Sequence, residues 1–289
     1  MIAGLLAADE LRGLVAVAAR LRATGGDAGG TAVGARIGRG HDLHGLDPFR
    51  PGDDARAIDW RARLRTGELW VRRHHAEGDR ALAVLVDDSA SMTRDRRHLA
   101  RRVAAALAVV AGAAALPIAV AGLTAARAGD RRPVRLGPTD VAARLAPLLA
   151  SAGRSRVGVL DALAQARRWA QPDDRIALVS DLADPAPPDE LARAATRLGR
   201  RAGQVVCVHL IDRRDGELPA DVDRLRCAER GVVHGLDAGA ARGFAARVAA
   251  WQRAVVDAFA AAGAPLVVVD AAAAPPLATL AAQVVAAWR

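Results

Sequence analysis

After residue 80, the pattern of apolar and polar positions alternates short apolar runs with longer segments of helical period. Several runs are apolar at consecutive positions, which is typical of strands covered on both faces. The runs predicted as strands are 81–86, 118–123, 175–180, 204–211 and 265–270. The segments predicted as helices lie near 96–115, 139–150, 160–171, 188–201, 239–262 and 275–288. This alternation predicts an α/β fold with a doubly wound, mostly parallel sheet.

Residues 1–80 follow a different pattern. A short amphipathic helix precedes the Gly-rich stretch 24–40, and the highly charged stretch 47–79 follows it. No helical or parallel-strand period runs through the charged stretch, so it predicts an irregular appendage, with a hairpin turning at residues 65–68. We therefore expect two parts: an N-terminal segment over 1–80 and an α/β domain over 81–289.

Charge and cysteine content narrow the class of protein. The chain has 289 residues, a formal net charge of +9 and two cysteines, Cys207 and Cys227, neither in a Cys-x-x-Cys motif. Free cysteines favour a reducing compartment. The arginines are dispersed, and three Phe with no Tyr offer little surface for base stacking. We expect no specific nucleic-acid binding, although weak, salt-dependent binding through dispersed arginines stays an alternative.

The uncharged stretch from Val103 to Ala126 is long enough to cross a bilayer. It consists mostly of alanine and contains Gly112 and Pro117, so a buried helix followed by a buried strand explains it better. The first residues are interrupted by charges and do not form a signal peptide. We expect a cytoplasmic protein without a membrane span.

Serine is scarce, and its placement indicates a site. Of five serines, Ser89, Ser91 and Ser180 follow or end predicted central strands, beside Asp87 and Asp181. Ligands of open parallel sheets bind at the carboxyl ends of strands. The oxygens of an Asp-x-Ser-x-Ser sequence suit a hard cation such as Mg²⁺, which prefers six oxygen ligands. We therefore predict a divalent-cation site.

Two other interpretations use the same residues. In the first, Ser89 or Ser91 only caps a helix that begins near Thr93, and Asp87 accepts backbone hydrogen bonds. In the second, Asp87 and Asp181 join the acidic cluster of residues 53–59 in a metal-dependent, nuclease-like hydrolase. That cluster, with its Pro-Gly-Asp-Asp turn and interleaved arginines, favours a structural or docking role.

Two stretches resemble known families. The sequence LVDDSASM with IALVSD farther on resembles a von Willebrand factor A domain and its metal-ion-dependent adhesion site. The upstream core, with Gly52-Asp53-Asp54 and Ile58-Asp59-Trp60, resembles the signature of the bacterial domain of unknown function fifty-eight family. The resemblance runs from about residue 20 to the C-terminus.

This resemblance implies a Rossmann-like A-type domain with a divalent cation, such as Mg²⁺, at Asp87, Ser89, Ser91 and Asp181. It also implies a threonine from a later loop, where this chain has Val157; Ser155 substitutes only if the loop is two residues longer. Without that hydroxyl, the cation is bound more weakly or lost. Members of the family are associated with MoxR-type AAA+ ATPases, so the resemblance implies a non-enzymatic interaction module that works with such an ATPase or its client. It carries over no catalytic residues.

Overall fold

A computed structural model describes residues 6–23, 37–49, 58–75, 81–123, 157–172, 174–218, 222–227 and 231–288. The helices are α1 (Ala8–Ala23), α2 (Trp60–Thr66), α3 (Arg94–Ala113), α4 (Val159–Trp169), α5 (Pro188–Ala202), α6 (Ala238–Ala261) and α7 (Leu277–Ala287). The strands are β1 (Ile37–Pro48), β2 (Trp70–His75), β3 (Leu82–Val86), β4 (Ile118–Gly122), β5 (Asp174–Ser180), β6 (Gly203–Ile211), β7 (Arg224–Arg226), β8 (Val233–Gly235) and β9 (Leu266–Asp270).

The central sheet has five parallel strands in the order β4-β3-β5-β6-β9. All five are strands predicted from consecutive apolar residues, and helices flank them as predicted. The predicted helix over 139–150 lies outside the described residues. From β3 the chain first adds β4 on one side and then returns to add β5, β6 and β9 on the other side. The switch point of the strand order therefore lies between β3 and β5. Ligands of doubly wound sheets bind at this switch point.

Alternation along each strand divides the core into two layers. Leu82, Val84 and Val86 of β3 pack with α1, α3 and α7 on one face. Ala83 and Leu85 pack with α4, α5 and α6 on the other. Every residue of β3, β4 and β5 is buried, as expected for strands covered on both faces.

Helix α1 belongs to the α/β unit. Its apolar face, with Leu14, Val17 and Leu21, lies in the same buried cluster as α3 and α7. By compactness, the chain divides into one unit of residues 1–27 with 81–289 and a second unit of residues 28–80. The stretch from Val103 is helix α3 up to Ala113 and strand β4 from Ile118. No helix of the described part of the chain is long and apolar enough to cross a membrane.

The prediction of an irregular appendage is wrong for the described residues of the second unit. Strand β2 pairs antiparallel with β1, which ends at residue 48. A hairpin that turns at 65–68 would instead pair β2 with the residues directly before 65. Residues 60–66 form helix α2, which includes the first two residues of the turn expected at 65–68. The Asp59 carboxylate accepts hydrogen bonds from the Arg61 and Ala62 amides, and Gly67 ends the helix in the left-handed conformation.

Candidate functional site

The two strands at the switch point bring Asp87 and Asp181 to one edge of the sheet. Val86 at the end of β3 pairs with Val179 of β5, and the Asp87 amide donates to the Val179 carbonyl at 2.8 Å. The residues that follow each strand therefore lie side by side. This juxtaposition was predicted from the position of both aspartates after apolar runs.

Asp87 is a buried carboxylate bound by neutral donors. It is 1% exposed, and its Oδ2 accepts a hydrogen bond from Ser180 Oγ at 2.5 Å. Its Oδ1 accepts one from the Ser89 amide at 2.8 Å. Burial, and then the charge of Asp181, raises the pKa of Asp87 to about 6. No arginine of the described residues forms an ion pair with it, so its charge is balanced by dipoles alone.

Ser89 and Ser91 bring two hydroxyls together next to this carboxylate. Their Oγ atoms lie 3.0 Å apart, and Ser89 is buried. The helix-capping interpretation places one of them at the start of α3, but the N-cap of that helix is Thr93. The two serines lie in the loop that precedes it, with their hydroxyls facing each other.

Asp181 has a different environment, because a cation already lies beside it. Arg96 Nη1 is 3.2 Å from Asp181 Oδ2, and Nη2 of the same guanidinium pairs with Asp215. Arg96 Nη1 also donates to the Ser91 carbonyl at 3.4 Å. Asp181 Oδ1 accepts from the Ala183 amide at 3.0 Å. Both Arg96 and Asp181 are buried, so this is an internal ion pair at the edge of the predicted site.

A cavity of about 510 Å³ opens beside Asp87 and Ser89. Its wall includes Val157, the residue at the position where the resemblance implies a threonine, so the cavity receives no hydroxyl there. Ser155, the alternative donor, lies outside the described residues. Its other lining residues are Gly158, Val159, Leu160, Asp161, Ala183, Asp184 and Pro185.

Asp184 positions one wall of this cavity. Gly158 is the N-cap of α4 and has no side chain with which to cap it. The Asp184 carboxylate accepts from the Leu160 amide at 3.1 Å and so caps the helix from the loop after β5. A Cβ at position 158 would lie 2.5 Å from Asp184 Oδ2. Glycine is therefore required for the carboxylate to approach the helix end.

Sequence reasoning missed Arg96, Asp184 and Asp215. Arg96 is one of several arginines at the start of α3, and nothing in the sequence distinguishes it from Arg94 or Arg97. Asp184 carries one signal, a glycine at the start of a helix where a capping side chain is expected.

Of the three aspartates in the acidic cluster of residues 53–59, the structure describes Asp59, whose carboxylate caps α2. Asp53 and Asp54 lie outside the described residues, so the hydrolase alternative stays a prediction. Across the described ranges, no three His, Cys, Asp or Glu side chains are grouped so that they could hold a metal ion. A site built on Ser89 and Ser91 would use hydroxyls, which such a group does not include.

The fold and the site define a Rossmann-like α/β protein with a carboxylate–hydroxyl cluster at the switch point of a parallel sheet. Residues 46–254, more than half of the chain, match the family model described as "Protein of unknown function DUF58". The chain belongs to this family, as its signature predicted. No curated protein matches the chain significantly, and no solved structure does.

Proposed function

We propose that this protein is a non-enzymatic interaction module with an A-type domain, which binds a carboxylate of a partner protein through a divalent cation. One observation carries the proposal: two serine hydroxyls lie 3.0 Å apart next to a buried carboxylate, and Asp87 and Ser89 line a cavity of about 510 Å³. No catalytic residue is assigned.

The oxygen atoms at the end of β3 fit a small, hard cation. In an octahedral Mg²⁺ site with bonds of about 2.1 Å, neighbouring ligand oxygens are separated by about 3 Å. Ser89 Oγ and Ser91 Oγ, which are hydrogen-bonded to each other in this structure, have the same separation of 3.0 Å. Asp87 adds a buried negative charge with no cationic partner among the described residues, and a cation would stabilise it in the ionised form.

Each residue of the cluster has a proposed role. Ser89 and Ser91 would bind the cation directly, whereas Asp87 and Asp181 would hold water molecules in its coordination shell. Ser155 is a further candidate ligand from the loop before Val157. When bound, Mg²⁺ would act as a Lewis acid that accepts a partner's carboxylate oxygen.

The proposed partner is a MoxR-type AAA+ ATPase or its client, with the module acting in the assembly or activation of other complexes. Family membership supports this choice through the association that the sequence resemblance implies. The site supports it through its chemistry, because a divalent cation held by neutral hydroxyls and one carboxylate, that of Asp87, keeps a net positive charge toward an acidic residue.

A binding assay tests the proposal. Purified protein, immobilised and incubated with a purified MoxR-type ATPase, should retain the ATPase in Mg²⁺ and release it in excess chelator. The double variant Asp87→Ala, Ser89→Ala should lose Mg²⁺-dependent retention, because it removes one direct ligand and the carboxylate. Asp189→Ala, which removes an exposed carboxylate of α5, is the matched control and should bind as the wild type. Equal retention in Mg²⁺ and chelator would contradict the cation's role.

A further inference from the structure

A positive charge of the protein itself lies at the edge of the proposed cation site. The Arg96 guanidinium is 3.2 Å from Asp181 and donates to the carbonyl of Ser91, one of the two proposed hydroxyl ligands. It is 6% exposed, so solvent screens its charge weakly. Any cation bound by Ser89 and Ser91 would lie close to this charge.

We infer that Arg96 competes with the cation for Asp181. By neutralising this carboxylate, Arg96 lowers the affinity of the site for the cation. The inference rests on the proposed function, because it requires a cation at Ser89 and Ser91. Arg96 bonds Asp181 through the same carboxylate that would hold a coordinated water. With the guanidinium in place, the charge that the site offers is reduced to that of Asp87.

Arg96 also has a second carboxylate to hold it when Asp181 turns away. Asp215, in the 3₁₀ turn Arg213–Gly216 after β6, pairs with the other terminal nitrogen of the guanidinium. Asp215 is partly exposed, unlike Asp181. Arg96 can thus release Asp181 and keep its ion pair with Asp215. The Asp181 carboxylate can then turn towards a cation without leaving the buried guanidinium unpaired.

The space next to Arg96 allows this change. A cavity of about 170 Å³ is lined by Arg96, Asp181, Asp215, His209 and Gln252, among others. Arg96 Nε and both ring nitrogens of His209 are buried and have no hydrogen-bond partner within the described ranges. A guanidinium that shifts into this cavity meets His209, whose low pKa of about 4 keeps it neutral and able to accept a hydrogen bond.

The inference predicts that cation affinity rises when the positive charge is removed. Isothermal titration with Mn²⁺ as the probe should give a Kd at least about tenfold lower for Arg96→Gln than for the wild type, because a neighbouring unit charge no longer repels the ion. Arg96→Lys keeps the charge and should stay within about threefold of the wild type. Arg97→Gln removes the same charge from the next position of α3 and should change Kd by less than about twofold.

The outcomes separate this inference from the proposed function. If the wild type binds Mn²⁺ and Ser89→Ala does not, but Arg96→Gln binds no more tightly, Arg96 is not a competitor and only the inference is overturned. If neither the wild type nor Arg96→Gln binds Mn²⁺, the cation site itself is overturned. Thermal unfolding is a second readout: Mn²⁺ should raise the Tm of Arg96→Gln more than that of the wild type, even if this variant is less stable without the ion.

Discussion

Two neighbouring strands end in buried aspartates, and the two carboxylates are compensated in opposite ways. Asp87, after β3, receives hydrogen bonds from a hydroxyl and an amide, and its pKa rises to about 6. Asp181, after β5, pairs with the buried guanidinium of Arg96. Among the residues that the structure describes, a cation therefore pairs with the carboxylate after β5, and none pairs with Asp87, on the side where the two serine hydroxyls lie.

The largest effect on stability should come from removing the internal cation. Arg96→Ala removes the buried guanidinium that pairs with the buried Asp181 carboxylate, so we expect a loss of about 3–5 kcal/mol in the free energy of unfolding. Urea unfolding measures it. The control is Arg102→Ala, which breaks a partly exposed pair with Glu10 and should cost about 1 kcal/mol or less. Equal losses for both variants would show that Asp181 does not depend on Arg96.

A nearly as large effect should follow from acid, through His209. Burial, and then the charge of Arg96, lowers its pKa to about 4. The unfolded chain therefore binds this proton first, and stability falls as the pH drops from about 6.5 towards 4, by up to about 3 kcal/mol. The stability difference between the wild type and His209→Phe, followed by urea unfolding over this range, isolates the effect, since Asp87 titrates in both proteins.

The exposed His98 provides the control for this acid effect. His98→Gln should lose stability with falling pH as the wild type does, because His98 lies in water in both the folded and the unfolded state. If His209→Phe loses as much stability with falling pH as the wild type does, protonation of His209 does not cause the loss, and the prediction is wrong.

Neutralising the two aspartates one at a time should change stability in opposite directions. With a chelator present at pH 7, Asp87→Asn should raise the free energy of unfolding by about 2 kcal/mol, because it removes a buried charge that no side-chain cation in the described part of the chain balances. Asp181→Asn should lower it by about 2 kcal/mol, because it deprives buried Arg96 of one partner. If both variants changed the free energy of unfolding in the same direction, the two carboxylates would not differ in how their charge is balanced.

The smallest effect concerns the cavity wall beside Asp87. Gly158→Ala should displace the Asp184 carboxylate from the start of α4 and cost about 1 kcal/mol, the usual value of a helix cap. Thermal unfolding measures it. Gly235→Ala, at a glycine with open space around its Cα, should change stability by less than about 0.5 kcal/mol. A neutral Gly158→Ala would mean that Asp184 does not support the helix.

The α/β core could be predicted because its strands are buried on both faces. Runs such as 81–86 and 204–211 are apolar at consecutive positions, and their observed bounds differ by one residue or less at each end. The strand and helix of the second unit, β1 and α2, could not be predicted, and the reasons are physical. Strand β1 contains Gly38, Gly40 and Gly45, which have low strand propensity. Helix α2 has only seven residues, too few to show a helical period, although Asp59 and Gly67 mark its ends.

The site could be predicted only in part, because sequence order reveals strand ends but not the contacts across them. The placement of Asp87, Ser89, Ser91 and Asp181 at the carboxyl ends of neighbouring strands could be predicted, because each residue comes after a buried strand. Arg96 lies 85 residues from Asp181 and 119 residues from Asp215 in the sequence. No local pattern selects this arginine, since its pairing depends on the position of α3 against the ends of β5 and β6.

We propose that the serine hydroxyls beside Asp87 bind a divalent cation. The decisive experiment is isothermal titration of Mn²⁺ into the wild type and the double variant Ser89→Ala, Ser91→Ala, with folding checked by thermal unfolding. We expect one ion per wild-type chain and an affinity at least about a hundredfold weaker in the variant, since two direct ligands are lost. Equal affinities for the two proteins would show that the hydroxyls are not ligands.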